Sequence, residues 1–480
     1  MITQIEIDGF KTFRDFEVEL APFQVIVGPN GSGKSNLFDA LHLLSRLADT
    51  DLLSAFQELR GDASELFTKL PDAGSSKRIR IAVEILVDQK VRDELGREAE
   101  LKYTRLRYEL ELTSGTDKHD LERLYLRRES LKAIPRNRDS WSKKYNLSFQ
   151  NGWLPELIGN EAIFIGEPPP PTRYQFSQEG WIPPICLYSE GEGRGIAQYD
   201  TKNLKRTVLS TMVSSDYPHA FAARHELRSL RFLHLNPEAL RQPSSTKAPR
   251  FLSSDGSNLP TTLARVEREN NLALADISRD MANLVPGILR IRVEQDKASD
   301  KYIIHAETAD GRSFSSHVLS DGTLRLLALA VLRNDPQFHG ILCVEEPENG
   351  IDPLHLRHMA RLLREMATDF NDSEQVNEPL RQVIITTHSP AFISQPEVID
   401  SLLLAIMPTH VQGKHGASIR VTRMVPVIMA DTQSSLGTDD NRDKAVEAYT
   451  IDQVKKYLDS DALDEARDQL GKARTSLSER

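Results

Sequence analysis

The stretch Gly28–Ser35, GPNGSGKS, constrains this chain more than any other. It follows an apolar run, Phe23–Val27 (FQVIV), and precedes an amphipathic one, Asn36–Leu47 (NLFDALHLLSRL). The pattern predicts strand, glycine-rich loop and helix in that order, the setting in which a phosphate-binding loop works. Gly28, Gly31 and Gly33 free the backbone to turn its N–H groups inward at phosphate oxygens. A helix beginning near Lys34 adds the positive end of its dipole. Lys34 is placed to reach the β- and γ-phosphates and the Ser35 hydroxyl to bind Mg²⁺; Asn30, Gly31, Ser32, Gly33 and Asn36 complete the nucleotide-binding stretch. The competing reading, a glycine turn with a chance lysine, does not explain why strand and helix flank it correctly.

The 480 residues leave room for two or three domains. A hydrophobic content of 39% with 27% charged residues is that of a soluble globular protein. The net charge of −10 argues against a chain coated in basic surface, yet leaves room for a local basic groove. Cys186 and Cys343 form no Cys-x-x-Cys pair, so a disulfide framework and a cysteine zinc site are not expected. The N-terminus lacks a secretory pattern, and no apolar run approaches the ~20 residues of a membrane span. A cytoplasmic protein with no membrane partner is the expectation.

Before the loop, ITQIEIDGF, FRDFEVEL and FQVIV read as strands, and Arg78–Val87 and Leu101–Leu112 alternate with period two, as antiparallel strands with one wetted face do. LERLYLRRESLKAI reads as helical, and the Pro168–Pro171 run as a stiff extended loop. Between Lys118 and Lys144, nine Lys/Arg stand against four Asp/Glu, with Tyr125 and Trp141 inside the stretch and Tyr145 next to it. That mixture suits nucleic-acid contacts; a solvated helix face with a few core aromatics is the plainer account. Helical pattern returns from Asn258 to Leu284, followed by strands at ILRIRVEQD and KYIIHAE.

Three later motifs complete a site. In LSDGTLRLLALAVLR (Leu319–Arg333), Ser320, Asp321 and Gly322 open an apolar helix, a second phosphate-ready N-terminus. In GILCVEEPENGID (Gly340–Asp352), a buried strand delivers two carboxylates at its C-terminal end, where ligands gather in open α/β sheets. Glu345 is placed to hold Mg²⁺ and Glu346 to act as general base; a mere polar exit from the strand is the alternative. RQVIITTHSPAFI (Arg381–Ile393) is a third buried strand ending in His388, either a γ-phosphate sensor or a packing histidine.

The ordered set GPNGSGKS, LSDGT, ILCVEEPENGID and TTHS resembles the ABC-type ATPase head shared by transporters, SMC proteins, RecF and the OLD-like ATPases. The wording EEPEN, the ending TTHSP and the segment DGSNLPTTLARV (Asp255–Val266) are similar to the RecF/OLD-like AAA-type group. The resemblance implies an α/β fold: an ABC-type P-loop ATPase head, with a mixed sheet, flanking helices and an antiparallel β subdomain, plus an inserted α+β lobe. It implies ATP and Mg²⁺ as cofactors, and an engaged homodimer in which the Ser320 turn of one subunit closes over ATP held on Lys34, Ser35 and Glu345 of the other. Glu346 would activate water and His388 contact the γ-phosphate. Two positions depart from the pattern: Glu345 stands where many relatives have Asp, and the turn is Ser-Asp-Gly rather than Ser-Gly-Gly. Gln57 is the nearest candidate for the Mg²⁺-sensing glutamine, with Arg60 close by.

The expected organisation is residues 1–112 as the N-terminal part of the head, 113–250 as the inserted lobe, 251–430 as the C-terminal part and 431–480 as a charged helical tail. The long interval between Lys34 and Ser320 lacks the heptads of an SMC-like tether and is more than a transporter motor carries. The stretch after His388 is short for a Toprim nuclease, and Asp439, Asp440 and Asp443 read as a solvated acidic loop. The expected function is an ATP-hydrolysing switch acting on or sensing DNA, double-stranded DNA included, in anti-phage defence with a separate effector nuclease or toxin. A RecF-like repair ATPase is the alternative.

Overall fold

A computed structural model describes residues 1–70, 74–116, 122–156, 162–168, 183–190, 196–249, 251–412, 417–428 and 449–459. Pro169–Pro171, the Asp439, Asp440 and Asp443 cluster and the tail beyond 459 lie outside the described residues.

Two large sheets form the frame. The first is antiparallel and eight-stranded. From one edge its strands are Ala197–Tyr199, Ile185–Leu187, Ile163–Gly166, Glu122–Ala133, Arg105–Thr116, Arg78–Leu86, Ile2–Asp8 and Phe16–Glu19. Alternation builds it: Ile79, Ile81, Val83 and Ile85 turn inward, while Arg80 spans Glu6 (3.0 Å) and Glu109 (2.9 Å) on the wetted face. The second sheet is seven-stranded, in the order Arg231–Leu233, Gly340–Glu345, Arg381–Thr387, Phe23–Val27, Leu402–Ile406, Arg423–Ile428, Tyr449–Thr450. Its first five strands are parallel neighbours. Phe23–Val27 is buried at all five positions because both faces are covered. Ile26, Cys343 and Ile384 face the core shared with the antiparallel sheet, and Val25, Val344 and Ile385 face the helices of the other side. The α/β expectation, with a mixed sheet and an antiparallel subdomain, holds.

The sheets are stitched at Gln382, which is fully buried. Its amide accepts from the Ile2 N–H (2.8 Å) and donates to the carbonyls of Ile2 (2.7 Å) and Ala21 (3.0 Å). Residues 113–250 contribute strands to both sheets and the helix Pro218–Arg228, so the segment is knitted into the frame.

The helical reading of LERLYLRRESLKAI is corrected: Glu122–Ala133 is a strand. A bulge between Leu126 and Arg128 explains the misleading pattern. One extra residue reverses strand parity, so the inward positions run Leu126, then Glu129, Leu131 and Ala133, and the period-two signal breaks mid-strand. Two of the three aromatics nearby take the plainer reading. Trp141 and Tyr145 pack with Trp153 and Phe370, and the Trp141 indole donates to the Leu20 carbonyl (2.9 Å).

The bulge also turns Glu129 into the core. Its carboxylate accepts from the N–H groups of Val208 (2.7 Å) and Leu209 (2.9 Å) and from the Tyr108 hydroxyl (2.9 Å). Next to these, the Thr207 hydroxyl donates to the Leu47 carbonyl (2.8 Å) at the end of the Lys34–Leu47 helix. Burial pushes the Glu129 pKa up to about 7, against the opposing pull of its donors. The folded value lies above the unfolded one, so stability is fullest below the ordinary carboxylate range and falls as pH rises through about 7. Glu129→Ala strands two buried N–H groups and is expected to cost about 2–4 kcal/mol by chemical denaturation. Glu129→Gln is expected to flatten the pH dependence of the unfolding midpoint between pH 5 and 8.

Candidate active site

Five of the parallel strands end on one side, and the chemistry collects there. Register makes the ends level. Thr387 pairs with Val27 and Glu345 with Thr386, so Gly28, His388 and Glu346 leave the sheet side by side. Above them lies a cleft of about 340 Å³ lined by Asn30, Gly31, Gly33, Lys34, Ser35 and Asn36, and also by Glu345, Glu346 and Asn349.

The loop is held from both ends of the sequence. Gly33 takes φ 97°, and a Cβ there would collide with the Thr422 side chain. Thr422 in turn meets the Thr12 hydroxyl (2.7 Å) and donates to the Ser32 carbonyl (3.3 Å), while Asn36 donates to Thr12 (2.8 Å). Ser32 itself is buried beneath the cleft. The Lys34–Leu47 helix starts at Gly33, as its sequence predicts, and the Lys34 ammonium donates to the carbonyls of Gly28 (2.6 Å) and Pro29 (2.8 Å).

Glu346 sits at φ 46°, a left-handed conformation that costs a non-glycine residue about 1–3 kcal/mol. Its N–H extends the sheet ladder to Thr386 O (2.8 Å). The Asn349 amide donates to one carboxylate oxygen (2.7 Å) and His388 Nδ1 to the other (2.7 Å). An ionised carboxylate only accepts, so His388 donates to it from Nδ1, with Nε2 on the far side of the ring. Burial raises the Glu346 pKa, but the bonds from Asn349 and His388 and the charge of Lys34 outweigh it, and the carboxyl lies below its ordinary value. It is therefore an ionised, oriented carboxylate at neutral pH. Behind it, Glu348 is buried, accepts from the Thr387 hydroxyl and has its pKa raised by that burial. Thr387 also accepts the Ser389 N–H (3.0 Å), which pins the turn carrying His388.

Glu345 faces Arg60 (3.8 Å) and His234 (3.7 Å). Gln57, the expected Mg²⁺ sensor, is exposed at the end of the Leu52–Gln57 helix and is not among the cleft-lining residues. The chain turns at Gly61, φ 97°, and it is Arg60 that reaches the acid. The Ser35 hydroxyl and the Glu345 carboxylate share the cleft and are the hard oxygen donors that Mg²⁺ takes, alongside water and substrate phosphates.

Ser320 caps the Asp321–Arg333 helix, accepting from the Thr323 N–H (3.2 Å). Asp321, the departure from the glycine pattern, is paired with Arg241, which also donates to the Leu319 carbonyl (3.2 Å). The pair offsets a carboxylate that would oppose phosphate. A Cβ on Gly322 would lie 2.5 Å from the Gly350 carbonyl, so the turn packs backbone to backbone on the loop that follows the acids.

Sequence reasoning passed over Thr12, Thr422, His234, Arg241 and Arg325. Only Arg325 left a trace, as the one charge between Asp321 and Arg333 in an otherwise apolar helix. It lines the same cleft, and its buried Nε has no partner among the described residues. Burial depresses its pKa against a partial offset from Asp321.

A glycine loop with its lysine, a strand-end pair of acids, and a histidine delivered by the strand between them define a P-loop ATPase head of the ABC/SMC type. The chain belongs to the family described as "AAA domain, putative AbiEii toxin, Type IV TA system", whose model matches residues 23–394. No curated protein matches the sequence. Among solved structures, it is similar to an SMC head bound to the C-winged helix domain of ScpA (14% identity, 88% of this chain and 97% of that one, TM-score 0.45). It is also similar to the SMC head domain from Thermotoga maritima (13%, 89% and 99%, TM-score 0.36). A third is the Smc head with coiled coil and joint from Pyrococcus yayanosii (12%, 96% and 99%, TM-score 0.43).

Arg325→Ala is expected to weaken ATP binding by about 1.5–3 kcal/mol, with ADP less affected, in calorimetric titrations. The thermal midpoint of the nucleotide-free protein should hold, because the half-buried guanidinium has no ion pair among the described residues for its removal to break. His388→Ala removes one of the bonds that lowers the Glu346 pKa. The acid limb of the ATPase pH profile should therefore move to higher pH, measured as kcat from pH 4 to 7.

Proposed function

We propose that this protein is an ATP-hydrolysing switch whose heads associate on ATP, acting on or sensing DNA in anti-phage defence with a separate effector nuclease or toxin. The observation that carries the ATPase part is Glu346, held ionised and aimed by Asn349 and His388 at the rim of a cleft that also contains Lys34 and Ser35. Lys34 swings from the loop carbonyls onto the phosphates, and the loop N–H groups hold them. Glu346 takes a proton from water as that oxygen bonds the γ-phosphorus and the bridge to the β-phosphate breaks. His388 Nε2, on the far side of its ring from Glu346, faces the γ-phosphate or the water. Mg²⁺, held by Ser35 and Glu345, supplies charge neutralisation at the phosphate oxygens when bound.

Association is supported by the Ser320 turn. It is a helix start with the dipole of a 13-residue helix behind it but no lysine, which suits the far side of a nucleotide held elsewhere. Val318 (67% exposed), two residues before it, presents apolar surface there. The family description, which names an AbiEii toxin and a Type IV TA system, supports a defence role with a toxin-like partner. Among the described residues no helix is long and apolar enough to cross a membrane.

Glu346→Gln should bind ATP, lose turnover by at least two orders of magnitude and accumulate a dimer in sedimentation velocity. Adding Ser320→Arg should return it to monomer with nucleotide affinity retained. Wild-type turnover by Glu346→Gln would sink the base assignment, and normal turnover by Ser320→Arg alone would sink the site shared between subunits.

A further inference from the structure

A second hollow, an open groove of about 750 Å³, lies beside the Leu52–Gln57 helix. We propose that it holds the phosphate backbone of a nucleic-acid strand. The inference rests on the DNA-acting reading above and gives it an address.

Charge is the first argument. Lys77, Arg123, Lys202 and Lys205 converge on the groove from three separate stretches of chain. Asp51 is the sole carboxylate residue among the described residues lining it, and it is committed to capping its helix, accepting from the Ser54 N–H (3.0 Å) and hydroxyl (2.6 Å). Lys77, Lys202 and Lys205 are exposed, and none pairs with a carboxylate among the described residues. A chain of net charge −10 thus gathers cations where it is hollow. The serine hydroxyls along the walls and the half-buried Tyr125 add the small donors and the flat ring that phosphate, sugar and base accept.

Construction is the second argument. The wall bearing Lys202 and Lys205 is not a loose loop. The Leu52 N–H donates to the Lys205 carbonyl (2.8 Å), Thr207 is bonded to the end of the phosphate-loop helix, and Glu129 caps the next two residues. The Leu52–Gln57 helix runs from this wall toward Arg60, whose guanidinium lies 3.8 Å from Glu345. Groove and cleft therefore share one short rod of structure. A strand bound in the first shifts Arg60 against the acid of the second, and ATP turnover responds to nucleic acid.

The test is fluorescence anisotropy with a labelled single-stranded oligonucleotide and its duplex across a salt series. It compares wild type with Lys202→Glu/Lys205→Glu and with the milder Lys77→Ala. Wild type should bind with an affinity that falls with salt. The double variant should lose at least tenfold and show a shallower salt slope, and Lys77→Ala a smaller loss, with ATP affinity and basal ATPase activity unchanged. Nucleic-acid stimulation of the ATPase should disappear with binding. Wild-type binding by the double variant would overturn the groove while leaving the DNA reading standing. Failure of wild type to bind either oligonucleotide would overturn the DNA reading itself. Equal competition by poly-glutamate of matched charge would assign the groove to an acidic protein instead.

Discussion

Three parallel strands that end at the same level are the constraint on which the chemistry of this molecule depends. Adjacent strands lie about 4.8 Å apart, and each residue advances the chain by about 3.3 Å. With Thr387 opposite Val27 and Glu345 opposite Thr386, the loop, the histidine and the base emerge within hydrogen-bonding reach. A slip of one residue in the Glu345–Thr386 pairing would part His388 from Glu346 by more than the 2.7 Å bond tolerates, and a slip in the Val27–Thr387 pairing would carry the glycine loop away from both. The register is protected by burial. All five residues of Phe23–Val27 are buried, and a one-residue slip would exchange the side chains that face the two cores and break the bond from the Gln24 amide to the Ser401 carbonyl (2.5 Å).

At the rim, the structure spends stability on orientation. Glu346 adopts a left-handed backbone directly before Pro347, a position that disfavours compact conformations. Its ladder bond to Thr386 and the Asn349 and His388 contacts hold it there. Glu348 and Thr387 brace the histidine turn from beneath. The two glutamates of the Glu-Pro-Glu run thus do opposite work. Glu346, half in solvent and surrounded by donors, stays charged, whereas burial drives Glu348 toward its neutral form.

The antiparallel sheet is the platform for this rim. Gln382 ties it to the parallel sheet with three bonds, and Glu129, turned inward by a bulge, fastens the 207–209 segment that reaches the end of the phosphate-loop helix. Both are polar groups in apolar surroundings, costly unless every partner is present, and so they specify one arrangement rather than merely adding to stability.

Local pattern was enough for the elements whose information is local. The glycine loop, its helix, the Ser320 cap and the three apolar strands were legible because periodicity, capping and glycine freedom act over a few residues. The Glu122–Ala133 strand was misread because its bulge breaks the period on which such reading relies. Gln57 was sought by sequence distance, but the turn at Gly61 brings Arg60 to Glu345 instead. The motifs alone determined that a phosphate loop, two strand-end acids and a histidine exist in this order. Only the tertiary structure decided that His388 bonds Glu346, that Arg325 enters the same cleft, and that Thr12 and Thr422 clamp the loop. Those are contacts between segments far apart in the chain. Their energies come from burial and register in the assembled sheets, and no local window of sequence contains them.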